Sequence, residues 1–197
     1  MSPLSEDSPV TLSHPNLQPE YSPEERAWLL KLAHEAILSL LEGREVFAFE
    51  ASEHLSQLRG VFTTLYWDRK LRGCVGYPTA AAPLFRAVIE TARSAAFEDP
   101  RFPPLILKEA MQLQVSLSVL SPLAPIVPGE VEVGRHGLLI SDGLRRGLLL
   151  PQVPIEHGWD SVTFLEQTCR KAGLPLDAWQ RGAKIEAFTA EVFADRD

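Results

Sequence analysis

Apolar and polar positions change period several times along the chain, and each change marks an element. Ser22-Pro23-Glu24-Glu25 combines an N-cap serine, a proline at the first helical position and a glutamate at the third, a capping box that opens a helix. Leu30, Ala33, Ile37, Leu40 and Leu41 then recur at three- and four-residue steps, and Gly43 supplies a left-handed stop. From Gly60 to Trp67 the residues are β-branched and aromatic, and Asp68-Arg69-Lys70 forms a polar turn into Leu71-Arg72-Gly73-Cys74-Val75. This predicts a hairpin with Cys74 near the end of its second strand, where the strand gives way to a loop.

Pro83 opens a second helix with Leu84, Ala87, Val88, Thr91, Ala95 and Ala96 on one side, closed by Pro100, which disfavours helix in the residue before it. Leu113, Val115, Leu117 and Val119 alternate with Gln114, Ser116 and Ser118, the period of a half-buried strand. After a proline-rich connection, Gly137-Leu138-Leu139-Ile140 and Gly147-Leu148-Leu149-Leu150 flank a Ser141-Asp142-Gly143 turn and predict two antiparallel strands. Asp160 or Ser161 caps a helix that ends at Gly173, and Lys184 to Phe193 reads as one closing strand. Residues 1–21 carry four prolines with little apolar periodicity, which predicts a flexible arm ahead of a domain over 22–197. Helices and strands alternate without repeated β-helix-β crossovers, so the expected class is α+β.

Charge narrows the partners. A net charge of −7 offers no basic field to neutralise a duplex, so no duplex DNA is expected. The N-terminus lacks the pattern of a signal peptide, and no apolar run approaches the ~20 residues of a spanning helix, which places the protein in the cytoplasm, away from membrane. Cys74 and Cys169 form no C-x-x-C pair, so a zinc site built mainly from cysteine thiolates is not expected, and the sequence assigns no metal and no cofactor.

The densest chemical signal is Leu71-Arg72-Gly73-Cys74-Val75-Gly76, where two glycines bracket a cysteine. Glycine permits close approach of a bound group, and cationic side chains such as Arg72 activate a nearby thiol. Cys74 reads as a nucleophile, a redox thiol or a ligand, or else as a small buried cysteine beside a tight bend. Asp99-Pro100-Arg101-Phe102 places an acid and a guanidinium two residues apart, a clamp for a carboxylate, a phosphate or a base edge, or a helix stop that satisfies its own loop, with Phe102 in the core. His136 and His157 precede glycines and are candidate acids or bases, although no ligand spacing joins them. Gln152 carries an amide able to read a hydrogen-bonding edge or to hold the Pro151-Gln152-Val153-Pro154 turn, and Cys169 lies on the apolar stripe of its helix.

The glycine-bracketed segment resembles one family when taken with Asp99-Pro100-Arg101-Phe102, Ser116-Leu117-Ser118-Val119-Leu120-Ser121, His136-Gly137-Leu138, Leu149-Leu150-Pro151-Gln152-Val153 and Gly158-Trp159-Asp160. That family is the AmmeMemoRadiSam system protein A family, the AMMECR-type domain, and the likeness runs from Ser22 to Phe193, with Val75 where the family usually has isoleucine. The resemblance implies an antiparallel, strongly curved sheet with flanking helices in two intimately packed lobes, and a cleft where the motifs gather. It implies no established activity. A component of a biomolecule-modification pathway, acting on RNA or a small molecule with a Memo-like and a radical SAM protein, is one expectation. A non-catalytic adaptor for a ligand or protein is the other. The expected site holds Cys74, His136 and Asp99 as reacting groups, with Arg72, Gly73, Gly76, Arg101 and Gln152 contacting substrate.

Overall fold

Ser22 starts the first helix as its capping box predicts. In the computed structural model, which describes residues 19–46 and 50–195, helix α1 (Pro23–Leu41) has the Ser22 hydroxyl accepting from the Glu25 N–H, while the Ser22 N–H donates to the Glu25 carboxylate. Most of the predicted arm, residues 1–18, lies outside the described residues. Tyr21 does not belong to an arm: it is buried and its ring stacks on His54 at 4.9 Å.

The contacts divide the chain into two compact units, Leu120–Glu191 and the remainder. In the first, β1 (Val61–Trp67) and β2 (Lys70–Tyr77) form the hairpin, followed by α2 (Leu84–Phe97), a short α3 (Leu107–Ala110) and β3 (Gln114–Leu120). With β8 (Ala190–Ala194) these strands make a sheet in the order β2-β1-β3-β8, and β1 pairs antiparallel with both neighbours. The hairpin loop is Asp68-Arg69, both at positive φ, as a two-residue turn between right-twisted strands requires; Lys70 therefore pairs with Trp67 instead of turning. Val61, Leu65, Val115 and Leu117 share one apolar cluster with Leu29, Ala33 and Ile37 of α1 and Ala87, Val88 and Ala95 of α2.

The predicted end of the second strand is displaced. β2 continues through both glycines to Tyr77, so Cys74 sits within the strand opposite Thr64. Glycine usually weakens a strand, and this made the segment read as a break. Here it serves close packing. A Cβ on Gly73 would stand 2.0 Å from the Ala95 carbonyl oxygen of α2, and one on Gly76 would stand 2.3 Å from the Phe62 ring. The side-chain space beside each glycine is filled by the chain itself.

In the second unit β4 (Ala124–Pro125), β5 (Gly137–Asp142), β6 (Arg145–Leu149) and β7 (Lys184–Phe188) form an antiparallel sheet in the order β4-β7-β5-β6. Pro151 begins a short helix, α4 (Gln152–Glu156), where a turn was expected. Helix α5 (Ser161–Lys171) is capped by Asp160, whose carboxylate accepts from the Thr163 N–H at 2.7 Å, and it buries Phe164, Leu165 and Cys169 in this unit's own core. The single closing strand is in fact two, β7 and β8, which belong to different sheets. They part at Thr189, whose N–H donates to the Ser121 hydroxyl and whose carbonyl accepts from the Ser121 N–H. The class is α+β with antiparallel pairing, as predicted. Among the described residues no helix is long and apolar enough to cross a membrane.

Gly73→Ala is expected to lower the urea midpoint by an amount worth about 1–3 kcal/mol or more, because a helix carbonyl yields less readily than a side chain. Gly129→Ala, where a Cβ meets nothing within 4 Å, should stay within about 0.5 kcal/mol of wild type. Equal midpoints for the two variants would show that the contact of β2 with α2 is not tight.

Candidate functional site

β2 is an edge strand, so the backbone of alternate residues faces away from β1 and needs partners from elsewhere. At Cys74 one side-chain pair supplies both. The Cys74 N–H donates to Asp99 Oδ2 at 2.9 Å, and its carbonyl accepts from Arg101 Nη2 at 3.3 Å. Arg101 in turn grips Asp99 through Nε to Oδ1 at 2.9 Å and Nη2 to Oδ2 at 2.7 Å, while the Arg101 N–H donates to Oδ1 at 3.1 Å. Asp99 and Arg101 stand on either side of Pro100, just beyond the end of α2 at Phe97.

Asp99 is thereby committed. Its side chain is 3% exposed, and the Arg101 guanidinium, reinforced by the Cys74 and Arg101 N–H groups, holds its carboxyl well below the usual carboxylate range. Such a group stays ionised and orients its neighbours; it is a poor proton carrier near neutral pH. Arg101 is correspondingly raised by Asp99, and its side chain remains 54% exposed.

Arg72 is positioned by an irregularity. Leu65 pairs with Gly73 but Tyr66 pairs with Leu71, so Arg72 is the extra residue of a β-bulge, a device that re-aims a side chain. The guanidinium is buried and meets Glu109 at the start of the third strand's approach: Nε donates to Oε1 at 3.2 Å and Nη2 to Oε2 at 3.0 Å. Glu109 also accepts from the Ile106 N–H, and its pKa is lowered chiefly by Arg72. Phe102 is half-buried against two cations instead of lying in the core: the Arg101 and Arg72 guanidinium carbons stand 5.5 and 5.9 Å from its ring centre.

Cys74 itself is half-buried, and its sulfur accepts from the Thr64 hydroxyl at 3.4 Å. Strand alternation places Thr64 and Tyr66 on one side of β1, and the Tyr66 hydroxyl is raised by burial and by the nearby Cys74. Cys169 is fully buried, and burial pushes its thiol up. The first unit thus gathers Arg72, Gly73, Cys74, Gly76, Asp99 and Arg101. His136 and Gln152 belong to the second unit. His136 Nδ1 accepts from the Glu132 N–H at 3.1 Å, burial lowers its pKa, and it lines a cavity of about 440 Å³ with Ser121, Arg135 and Phe188. Gln152 begins α4, and its buried Oε1 has no partner among the described residues. His157 stacks on Trp159 at 4.7 Å. Sequence reasoning missed Glu109, which sits in a one-turn helix with no periodic signal, and Thr64, whose place opposite Cys74 is set by the hairpin's two-residue turn and bulge. Among the described residues no group of three or more His, Cys, Asp or Glu side chains is arranged to hold a metal ion.

Comparison with known proteins gives a consistent result. The family model described as AMMECR1 matches residues 30–193. A protein of Methanopyrus kandleri is 43% identical over 186 residues, covering 88% of this chain and 90% of the relative, and one of Aquifex aeolicus is 41% identical, covering 86% and 92%. The crystal structure of an uncharacterized protein from Pyrococcus horikoshii superposes with a TM-score of 0.70 at 43% identity, covering 86% of this chain and 90% of that one.

The depressed Asp99 carboxyl fixes the sign of a pH effect. Above the unfolded value of about 3.9 it is ionised in both states and its contribution is complete; as pH falls below that, the unfolded chain takes up a proton the native state refuses, and stability drops. Urea unfolding at pH 7 and pH 3 should therefore show Asp99→Asn weaker than wild type by about 1–3 kcal/mol at pH 7, with the gap narrowed by about 1 kcal/mol at pH 3, where the native carboxyl is still ionised. A gap that does not narrow in acid would mean the Asp99 charge contributes nothing to the clamp.

Proposed function

The chain belongs to the AMMECR1 family, and on that premise we propose that it is a component of a biomolecule-modification pathway, working with a Memo-like protein and a radical SAM protein, that meets its substrate at Cys74. The partnership rests on the family resemblance. The location rests on one observation: a half-buried thiol whose backbone N–H and C=O are both pinned by the Asp99–Arg101 pair. A thiol on a pinned backbone, with its sulfur accepting from the Thr64 hydroxyl, has less orientational freedom to lose when a substrate arrives. A net charge of −7 favours a short single-stranded or small substrate over a duplex.

The second reading is a non-catalytic adaptor using the same edge. The saturation of Asp99 favours it, since every donor that Asp99 accepts from is structural and the carboxylate is left without a proton to exchange. The two readings separate at one atom. Cys74→Ser preserves shape and hydrogen bonding, so an adaptor keeps its cellular function with that change, whereas a chain that uses the sulfur loses it.

Two measurements test the proposal. In the folded protein, iodoacetamide should modify Cys74 at least about tenfold faster than Cys169, the exposure difference setting the ratio; comparable rates would remove the thiol from consideration. In cells, deleting the gene for this chain, for the Memo-like protein or for the radical SAM protein should abolish the same modified species in mass spectra of RNA nucleosides and small metabolites. Three unrelated spectra would end the pathway assignment.

A further inference from the structure

We infer that the cavity beside His136 in the second unit binds a small organic cation, an ammonium group carried on an apolar body; this goes beyond the Cys74 reading and does not depend on it. The cavity, about 440 Å³, lies within the roughly 300–1,000 Å³ of small-ligand sites, and the residues lining it belong to the second unit. Pro125 on β4, Ile126 after it and Phe188 at the end of β7 make its apolar part. The Phe188 ring fills the side-chain space of Gly137, where a Cβ would stand 2.2 Å from it, so this wall is held in place by the sheet.

Charge and hydrogen bonding choose the sign of the ligand. The titratable side chains that line the cavity are Glu130, Glu132, Arg135 and His136. Glu132 neutralises Arg135, whose Nη1 donates to Oε1 at 2.9 Å and to Oε2 at 3.1 Å. His136 Nδ1 accepts from the Glu132 N–H, which puts the ring proton on Nε2, and burial, helped by Arg135, lowers its pKa, so the imidazole adds no positive charge at neutral pH. The exposed Glu130 carboxylate has no hydrogen bond or ion pair among the described residues, and its negative charge is left uncompensated. The backbone offers an anion little in exchange. The N–H groups of Ser121, Ile126, Glu130, Glu132, Arg135 and His136 are all spent within the chain, and Pro122 and Pro125 have none. A net charge of −7 acts in the same direction at longer range.

The test follows the backbone amide resonances of the full, isotopically labelled chain at pH 7 and constant ionic strength, with benzylamine, benzyl alcohol and sodium benzoate as probes. The three share a ring and differ in charge: positive, none and negative. The amides of Glu130, Glu132 and His136 should shift saturably with benzylamine, at a half-saturating concentration about threefold below that of benzyl alcohol, as one exposed carboxylate supplies, and benzoate should not saturate them. Glu130→Gln changes an exposed side chain that holds nothing in the fold, and it should raise the half-saturating concentration of benzylamine about threefold, to that of the alcohol. The site is overturned by benzoate saturating at or below the concentration of the amine, by amine and alcohol behaving alike on the wild type, by a Glu130→Gln variant that keeps the preference, or by no saturable shift at these residues.

Discussion

An edge strand turns every second N–H and C=O outward, and at Cys74 both are taken by a single ion pair in place of a neighbouring strand. Asp99 accepts where a strand carbonyl would, and Arg101 donates where a strand N–H would. The substitution depends on Asp99 and Arg101 gripping each other across Pro100, with the guanidinium holding the Asp99 carboxyl in its ionised form. It blunts the edge against pairing with another chain, since the groups that would template such pairing are occupied. It also holds the backbone that carries the Cys74 sulfur at two points.

Much of the fold was legible from the chain. The Ser22 capping box, the alternation from Gln114 to Val119 and the Asp160 cap act over three or four residues, and local rules read them correctly. What was not legible depends on distant partners. The closing segment divides between two sheets because Ser121 and Thr189 exchange hydrogen bonds across 68 positions of sequence. The role of Glu109 depends on Arg72, 37 residues earlier. Neither relation leaves a period in the sequence.

The glycines show the same limit at the candidate site. Two glycines around a cysteine state only that side chains are absent, and absence fits an approaching ligand as well as an approaching helix. The Ala95 carbonyl and the Phe62 ring decide for internal packing on the side-chain face. Alanine-rich α2 is the complementary half of that arrangement, because Ala87, Ala92 and Ala95 let its backbone come down on the sheet. The glycine motif therefore sets the position of the thiol through the depth at which the strand packs, and openness of the backbone plays no part in it. Of the predicted site, Arg72, Cys74, Asp99 and Arg101 share one neighbourhood, while His136 and Gln152 have surroundings of their own in the second unit.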